Sequence, residues 1–588
     1  MRILRRNEGL LLASTFVAFA WFHQGGQWNQ NSRFALVRAI VEEGSFFIDA
    51  HLVYLPTSAG GERFRRAAIQ RGEFEFQGNT YALGWMAAGG DLVPIAGTAS
   101  PGATVIDAGL SSASGDIAYY DGHFHPNKAP GPSFLAVPAY FALYHVERML
   151  GLDADQWKVL TVNAWLTSAF TVALLSALGI VLFHRLALRV SNGDERAAAV
   201  AALTLAFGTM FFPYGTMLFE HNLIAVALLA SWYLAYRWKE TAGDARRYLV
   251  LAGLCAGFAP ISNYIMVVPV LMIGAYVLSA RKPNGWLWLG VGLLGPFTLI
   301  CLYNVVCFGS PFASNYRYMN PGFVEGGAFL GVFGTPRLGV LASVLFSPFR
   351  GLFVTSPVLI MGVVGLSRLW RTERLRADAL LCIAVCVFFL LFNISFNGWH
   401  GGWAVVPRYL GPAMPFLALP IVFAYRQMGR VTLALAAIST ATMFVITAVD
   451  PQAPVGISPV ASAPGREPWT YNPVTEYELP LMFTGRATPL LREVERLGGD
   501  PAILSTISGP VSANPIGVYE GGFYQRFGSG SPQPGWNAFN AGEMLAPHSL
   551  WSLLPLILFS GGLALTLVRR TSNLDPRGGD GMSPHGTT

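Results

Sequence analysis

Apolar runs close to membrane-spanning length recur along most of the chain, and no other feature narrows the fold as far. Crossing a hydrocarbon layer about 30 Å thick takes about 20 apolar residues in a helix. Runs of that order cover 9–22, 160–186, 197–214, 220–237, 247–261, 262–280, 284–307, 351–369, 376–395, 408–426, 430–449 and 549–568. They predict an all-α polytopic membrane protein of about twelve transmembrane helices. Composition agrees, since only 12% of the 588 residues are charged and 53% are hydrophobic. A soluble domain carries about 25% charged residues.

Positive charge tests the count. With the N-terminus inside, the segments FHRLALRVSNGDER, YRWKETAGDARR, SARKPNG, SRLWRTERLRAD, YRQMGR and the tail from RRTSN fall on the cytoplasmic side. Each is rich in Lys or Arg, and the short loops around 215–222 and 396–407 are nearly free of them. That asymmetry places both termini in the cytoplasm of a multi-pass inner or plasma membrane protein. It also keeps 133–149 from spanning, because one more crossing would invert every later loop. That run is expected at the interface as an amphipathic helix.

The chain then divides into an N-terminal span (1–22), a first extracytoplasmic loop with interfacial helices (23–159), a transmembrane core (160–449), an extracytoplasmic region (450–548), a last span (549–568) and a disordered cytoplasmic tail (569–588). Ala18-Phe19-Ala20 resembles a signal-peptidase site. A retained first span is preferred, because including Ile3 and Leu4 brings it near spanning length. In the first loop, Phe34, Val37, Ile40 and Val41 follow helical spacing, with Ser32 as N-cap and Gly44 as stop, which predicts a helix lying on the membrane. Residues 50–115, rich in Ala, Gly and Ser, read as an insertion of hairpins. The five cysteines all sit in apolar runs, so no disulfide framework is implied. No basic run is interleaved with exposed aromatics, which sets nucleic acid aside.

Chemistry concentrates in the loops. GHFHPNKAPG, residues 122–131, packs two His, an Asn, a Lys, two Pro and two Gly before the run SFLAVPAYFALYHV. Turn residues at that density hold Lys128 on a fixed backbone as an anion clamp. Arg408 opens a span in WHGGWAVVPRYLGP, with Tyr409 beside it, at the depth of a lipid phosphate. Arg33 and Arg350 are further cationic candidates, each weighed against a plain interfacial charge. A base for an acceptor hydroxyl is sought among Asp49, Asp116 and Asp121. His221 and His400 lie on the same side, and Trp399 and Trp403 are candidates for stacking on a sugar ring. No HxxxH or HExxH spacing occurs, so no metal or other cofactor is expected. Few ionisable groups lie mid-span, where a coupled transporter needs them.

With these residues the sequence resembles the GT-C class of polytopic glycosyltransferases, in particular the bacterial branch related to protein mannosyltransferases and lipid A aminoarabinose transferases. The shared order is a first span, SRFALVRAIVEEGSF, a Lys-Pro-type motif (here NKAPG) leading into an interfacial helix, then FGTMFFPYGTMLFEH, FGSPF, SPFRGL and VPRYLGP. The resemblance covers roughly residues 5–450. It implies transfer of a sugar from a polyprenyl phosphate donor to an extracytoplasmic lipid, glycan or protein. It also implies an acidic base in the first loop, and contact between Lys128 and the carrier phosphate. One departure stands out. The class places Asp or Glu just before the Ser-Arg-aromatic element, and here Asn29, Gln30 and Asn31 are neutral.

The leading expectation is therefore a membrane glycosyltransferase whose partners are the donor, the acceptor and the bilayer. A lipid or glycan transporter or flippase predicts a charged path through the spans. A catalytically inactive relative predicts the neutral Asn29-Gln30-Asn31.

Overall fold

The computed structural model describes residues 6–25, 27–56, 64–87, 90–243, 245–324, 332–453, 472–484, 539–547 and 549–572. Helices dominate, and the protein is a multi-pass membrane protein. Five helices among the described residues are long and apolar enough to cross a bilayer: Lys158–Val190, Gly285–Phe308, Glu373–Ser395, Ile421–Ala448 and Leu550–Thr571. The expectation of about twelve is corrected to these five by length and composition.

Of the other expected spans, 220–237 is an unbroken helix, Glu220–Glu240, that falls outside the five by composition, and the rest are shorter or broken. The run 197–214 divides into helices Glu195–Phe207 and Phe211–Gly215, and 351–369 into Leu352–Thr355 and Leu359–Arg371. A 13-residue helix such as Leu359–Arg371 is only about 20 Å long. The break expected between 426 and 430 is real: the stretch Ile421–Ala448 is two helices joined at Met428, with φ −127° and ψ 46°. An added Cβ at Gly365 would strike the Pro420 carbonyl oxygen at 1.9 Å, and Arg426 pairs with Asp194 at 2.7 Å. Farther on, Ser439 Oγ accepts from the Val358 amide. The chain therefore doubles back at Met428.

The N-terminal helix Arg6–Ala20 is part of the core. Ser14 and Ser560 exchange hydroxyl-to-carbonyl hydrogen bonds at 3.0 and 3.1 Å, and Phe19 is fully buried. Most of 450–548 and the tail beyond 572 lie outside the described residues, so the expectations for them have no structural counterpart here.

The first loop departs from a purely helical fold. Strands Glu73–Phe76, Asn79–Met86, Leu92–Pro94 and Thr104–Asp107 form a four-stranded sheet, as the hairpin reading of 50–115 anticipates. A separate hairpin pairs Ile117–Tyr120 with His123–Pro126. Asp121 and Gly122 make its two-residue turn, both at positive φ (50° and 89°), the geometry that favours Asp-Gly.

The helix expected from Ser32 starts earlier, at Trp28, and gives way to a π-turn, Ala39–Glu43, stopped by Gly44 at φ 64°. Ser32 is no cap. It lies inside the helix, and its hydroxyl donates to the Asp116 carbonyl at 2.7 Å. Residues 29–39 are buried, because the hairpin and the following chain cover the helix.

An ion lattice locks this loop together. Buried Arg38 bonds Glu42 (2.7 Å), Asp155 (2.6 Å) and the Tyr54 hydroxyl (2.7 Å). Arg66 joins the same Glu42 and Asp155 carboxylates. Burial pushes the Glu42 carboxyl up, and the guanidiniums of Arg38 and Arg66 outweigh it, holding it down at about 2.

Candidate functional site

The hairpin carries the first half of the site. Asp116 precedes its first strand and Asn127-Lys128 follow its second, so the Ile117↔Pro126 pairing sets them side by side. Lys128 Nζ donates to Asp116 Oδ1 at 3.1 Å and Asn127 Nδ2 donates to the same oxygen at 3.3 Å. No described residue hydrogen-bonds Asp116 Oδ2. Both side chains of the ion pair keep some exposure, 25% for Lys128 and 13% for Asp116.

The motif ends in a wedge. A Cβ on Gly131 would lie 2.3 Å from Ser262 Oγ, so the glycine seats helix Gly131–Leu150 directly against the end of helix Arg246–Ser262. The backbone around Lys128 is fixed on both flanks.

The three candidate carboxylates do not converge. Asp121 sits at the hairpin tip, and the four strand residues Ile117–Tyr120 separate it from Asp116, five residue steps or about 16 Å. Its role there is the turn. Asp49 flanks the hairpin, accepting from the Phe124 amide at 3.1 Å and pairing with His123 at 3.2 Å. Burial pushes its carboxyl above the usual range. Of the three, only Asp116 is beside Lys128.

Arg33 joins the loop to the helical core. It is 1% exposed. Its Nε donates to Asn29 Oδ1 at 2.9 Å, Nη1 to the Ala129 carbonyl at 3.2 Å, and Nη2 to Glu220 Oε2 at 2.6 Å. The neutral triplet before it is structural: Gln30 holds the Gly25 carbonyl and Asn31 the Ala113 carbonyl. Glu220 opens helix Glu220–Glu240, where its charge suits the exposed amides of the first turn.

The second half of the site comes from the core. The His221 ring stacks on Phe219 at 5.7 Å and meets Tyr214 edge-on at 5.0 Å. The Arg408 guanidinium lies 5.4 Å from the Phe219 ring centre and 5.3 Å from that of Tyr409, and Tyr409 faces His221 at 6.1 Å. Gly411 permits this approach, since a Cβ there would stand 3.2 Å from His221 Cβ. Three polar atoms here are buried without a hydrogen-bond partner among the described residues: Arg408 Nε, His221 Nε2 and Tyr214 Oη. A buried polar atom left unpaired costs about 1–3 kcal/mol. The arginine nitrogen and the phenol both donate, so an oxygen-rich anion suits them.

Arg350 has a different job. Its Nη1 donates to the carbonyls of His400 and, at 2.6 Å, Gly402. It braces the loop that turns through Gly401 and Gly402 at φ 78° and 64°. His400 Nδ1 accepts from the Gly402 amide at 3.1 Å, and burial holds its imidazole down at about 4. Trp399 is only 6% exposed, so its ring belongs to the packing of this loop, whereas Trp403 is half-buried.

Glu220 and Tyr214 are the site residues absent from the sequence candidates. Glu220 had a signal, being the only acid between Glu195 and Glu240. No group of three or more potential metal ligands occurs among the described residues.

No protein-family model matches the chain, and no curated protein matches it. Among solved structures it is similar to ArnT from Cupriavidus metallidurans bound to undecaprenyl phosphate, at 14% identity and TM-score 0.41, covering 96% of this chain and 77% of that one. It is also similar to the apo oligosaccharyltransferase of Archaeoglobus fulgidus, at 11% identity and TM-score 0.39, covering 76% of this chain and 56% of that one. At such scores the likenesses assign no role to any residue.

Proposed function

We propose that the chain is a membrane glycosyltransferase that takes a sugar from a polyprenyl phosphate donor and passes it to an extracytoplasmic lipid, glycan or protein. The observation that carries this reading is the trio of buried atoms without a partner among the described residues, Arg408 Nε, His221 Nε2 and Tyr214 Oη. They belong to a cluster in which Arg33 and Glu220 tie the core to the Lys128–Asp116 pair of the loop. In this reading Lys128, Arg408 and Tyr214 receive the phosphate. Fixed donors in a low-dielectric recess stabilise the charge that grows on a leaving phosphate.

Transfer then runs as one displacement. The acceptor oxygen forms a bond to the sugar's anomeric carbon while the bond from that carbon to the phosphate oxygen breaks. The electron pair leaves with the carrier phosphate. Asp116 Oδ2, which has no protein hydrogen-bond donor among the described residues, takes the acceptor's proton. Glu220 is committed to Arg33 and serves to position it. No metal or cofactor enters the scheme.

Asn29 favours a second reading, a carrier-binding protein without transfer, because an amide stands where the resemblance leads one to expect a carboxylate. Reconstituted liposomes carrying a panel of polyprenyl phosphate-linked sugars separate the two. The transferase reading expects donor consumption that Lys128→Ala abolishes at unchanged expression. Binding of the carrier with no consumption of any donor rejects transfer in favour of the second reading. Consumption that survives both Lys128→Ala and Asp116→Asn rejects the assigned site.

A further inference from the structure

A recess lies away from this cluster, where helix Gly131–Leu150 ends. It encloses about 210 Å³ and is lined by four carboxylates, two guanidiniums, Tyr144 and Leu152. Part of that charge is already used. Glu42 and Asp155 are tied into the lattice with Arg38 and Arg66. Three groups are not. Glu147 is 8% exposed, and its Oε2 accepts from Asn163 at 2.9 Å, while no described residue bonds its Oε1. Asp153 spends one oxygen on the Asp155 amide and leaves the other open. Arg148 is exposed, and its guanidinium has only the Tyr144 ring beside it, at 5.8 Å.

The recess thus presents two open carboxylate oxygens, that of buried Glu147 on its inner wall and that of exposed Asp153 nearer its mouth, and the negative end of the helix, closed by Gly151 at φ 72°, adds to them. The rim presents one unpaired cation. The recess therefore matches a ligand with an ammonium deep and an anion shallow. Its border is apolar: Met149, Leu150 and Leu152 are 79%, 69% and 46% exposed. In a multi-pass membrane protein, a chain end or surface of that kind is suited to lipid.

We propose that this recess binds the head of a zwitterionic lipid in which a primary ammonium stands next to a phosphate, as in a phosphoethanolamine head. The ammonium donates to Glu147 Oε1 and Asp153, and the phosphate pairs with Arg148. The acyl chains leave past Met149, Leu150 and Leu152. The proposal is independent of the transfer reading, since it uses none of the residues of that site.

The test is a titration of the purified full chain, in detergent, with dihexanoylphosphatidylethanolamine and with its phosphatidylcholine analogue, followed by tryptophan fluorescence and by thermal midpoint. A trimethylated ammonium donates no hydrogen bond, so the ethanolamine lipid is expected to bind about tenfold tighter or better. Asp153→Asn and Arg148→Gln change exposed residues and leave folding intact, and each is expected to weaken that binding severalfold, as is Glu147→Gln. Equal binding of the two lipids overturns the proposal, and so does ethanolamine-lipid binding untouched by all three variants. Free O-phosphoethanolamine binding as tightly as the lipid overturns the lipid assignment and makes the occupant a soluble amine phosphate.

Discussion

Removing both partners of the Arg33–Glu220 pair should destabilise the protein less than the two single removals added together. The pair is short, 2.6 Å, with side chains 1% and 10% exposed. In Arg33→Met the Glu220 carboxylate loses its guanidinium and has no water layer to replace it. Breaking a buried pair from one side costs about 3–5 kcal/mol. The Ala129 carbonyl loses its donor as well, adding about 1–3 kcal/mol. Glu220→Gln is milder, because the amide oxygen still accepts from Arg33. The double variant Arg33→Met with Glu220→Met leaves no unpaired charge, and it should be less destabilised than the sum of Arg33→Met and Glu220→Met by about 1–3 kcal/mol. Denaturation in mixed micelles reads these differences as midpoint shifts at constant slope. Additivity within about 0.5 kcal/mol would refute the reasoning, for it would mean that the two charges do not depend on each other.

Acid should loosen the first loop in two stages. Burial holds the His125 imidazole down at about 4, so the unfolded chain takes up this proton first, near its ordinary value of about 6.5. That contribution is complete above about pH 6.5 and is lost as pH falls toward 4, by at most about 1.4 kcal/mol per pH unit. Glu42, held at about 2, adds stability present above its ordinary value of about 4.3 and lost as pH falls toward 2. Protection factors of 117–126, which correct for the slowing of intrinsic exchange in acid, should fall through the first window, and constant protection from pH 6.5 to 4 would contradict it. A third prediction contrasts two glycines of helix Gly285–Phe308. A Cβ on Gly292 would strike the Val250 carbonyl oxygen at 2.0 Å, whereas Gly290 has nothing within 4 Å. Gly292→Ala should cost about 1–3 kcal/mol by prising the helices apart, and Gly290→Ala should stabilise by about 0.5–1 kcal/mol. Thermal midpoints moving the same way for both would sink the close-packing argument.

What was legible in the sequence was set by local chemistry. The stop at Gly44, the Asp121-Gly122 turn and the hairpin insertion follow from backbone preferences that act over a few residues. The length of each span did not follow, because hydropathy does not register where a helix breaks. GTMFFPYG is apolar throughout, yet the chain bends at Gly208 and again after Gly215. Ser32 misled for a related reason. Its type suits a cap, but Gln27 and Gln30 already form the capping interaction a turn earlier, which freed the hydroxyl to hold the hairpin.

Part of the proposed site is marked in the sequence. Lys128 and Arg408 stand where a cation meets a fixed backbone near an interface, and His221 stands at a helix end. The ordering of the carboxylates is not marked, because it depends on strand register. A hairpin of four paired residues puts Asp116 beside Lys128 and sends Asp121 to the far tip, and no local pattern encodes which carboxylate the lysine meets.

The neutral Asn29 takes on a physical meaning in this arrangement. An arginine as buried as Arg33 needs acceptors on all sides of its guanidinium, and it has an amide oxygen, a carbonyl and one carboxylate. An aspartate at position 29 would supply the same acceptor together with a second negative charge. The cluster would then hold Lys128, Arg33 and Arg408 against three carboxylates, in place of the two present, Asp116 and Glu220. With the amide, the cations remain in excess by one charge, the charge of a phosphodiester. On the proposed reading, Asn29 therefore preserves the attraction for the carrier phosphate and moves the burden of proton removal onto Asp116. In that case the base sits on the hairpin and the phosphate contacts lie mainly on the core. Transfer would depend on how firmly Arg33 holds those two halves together.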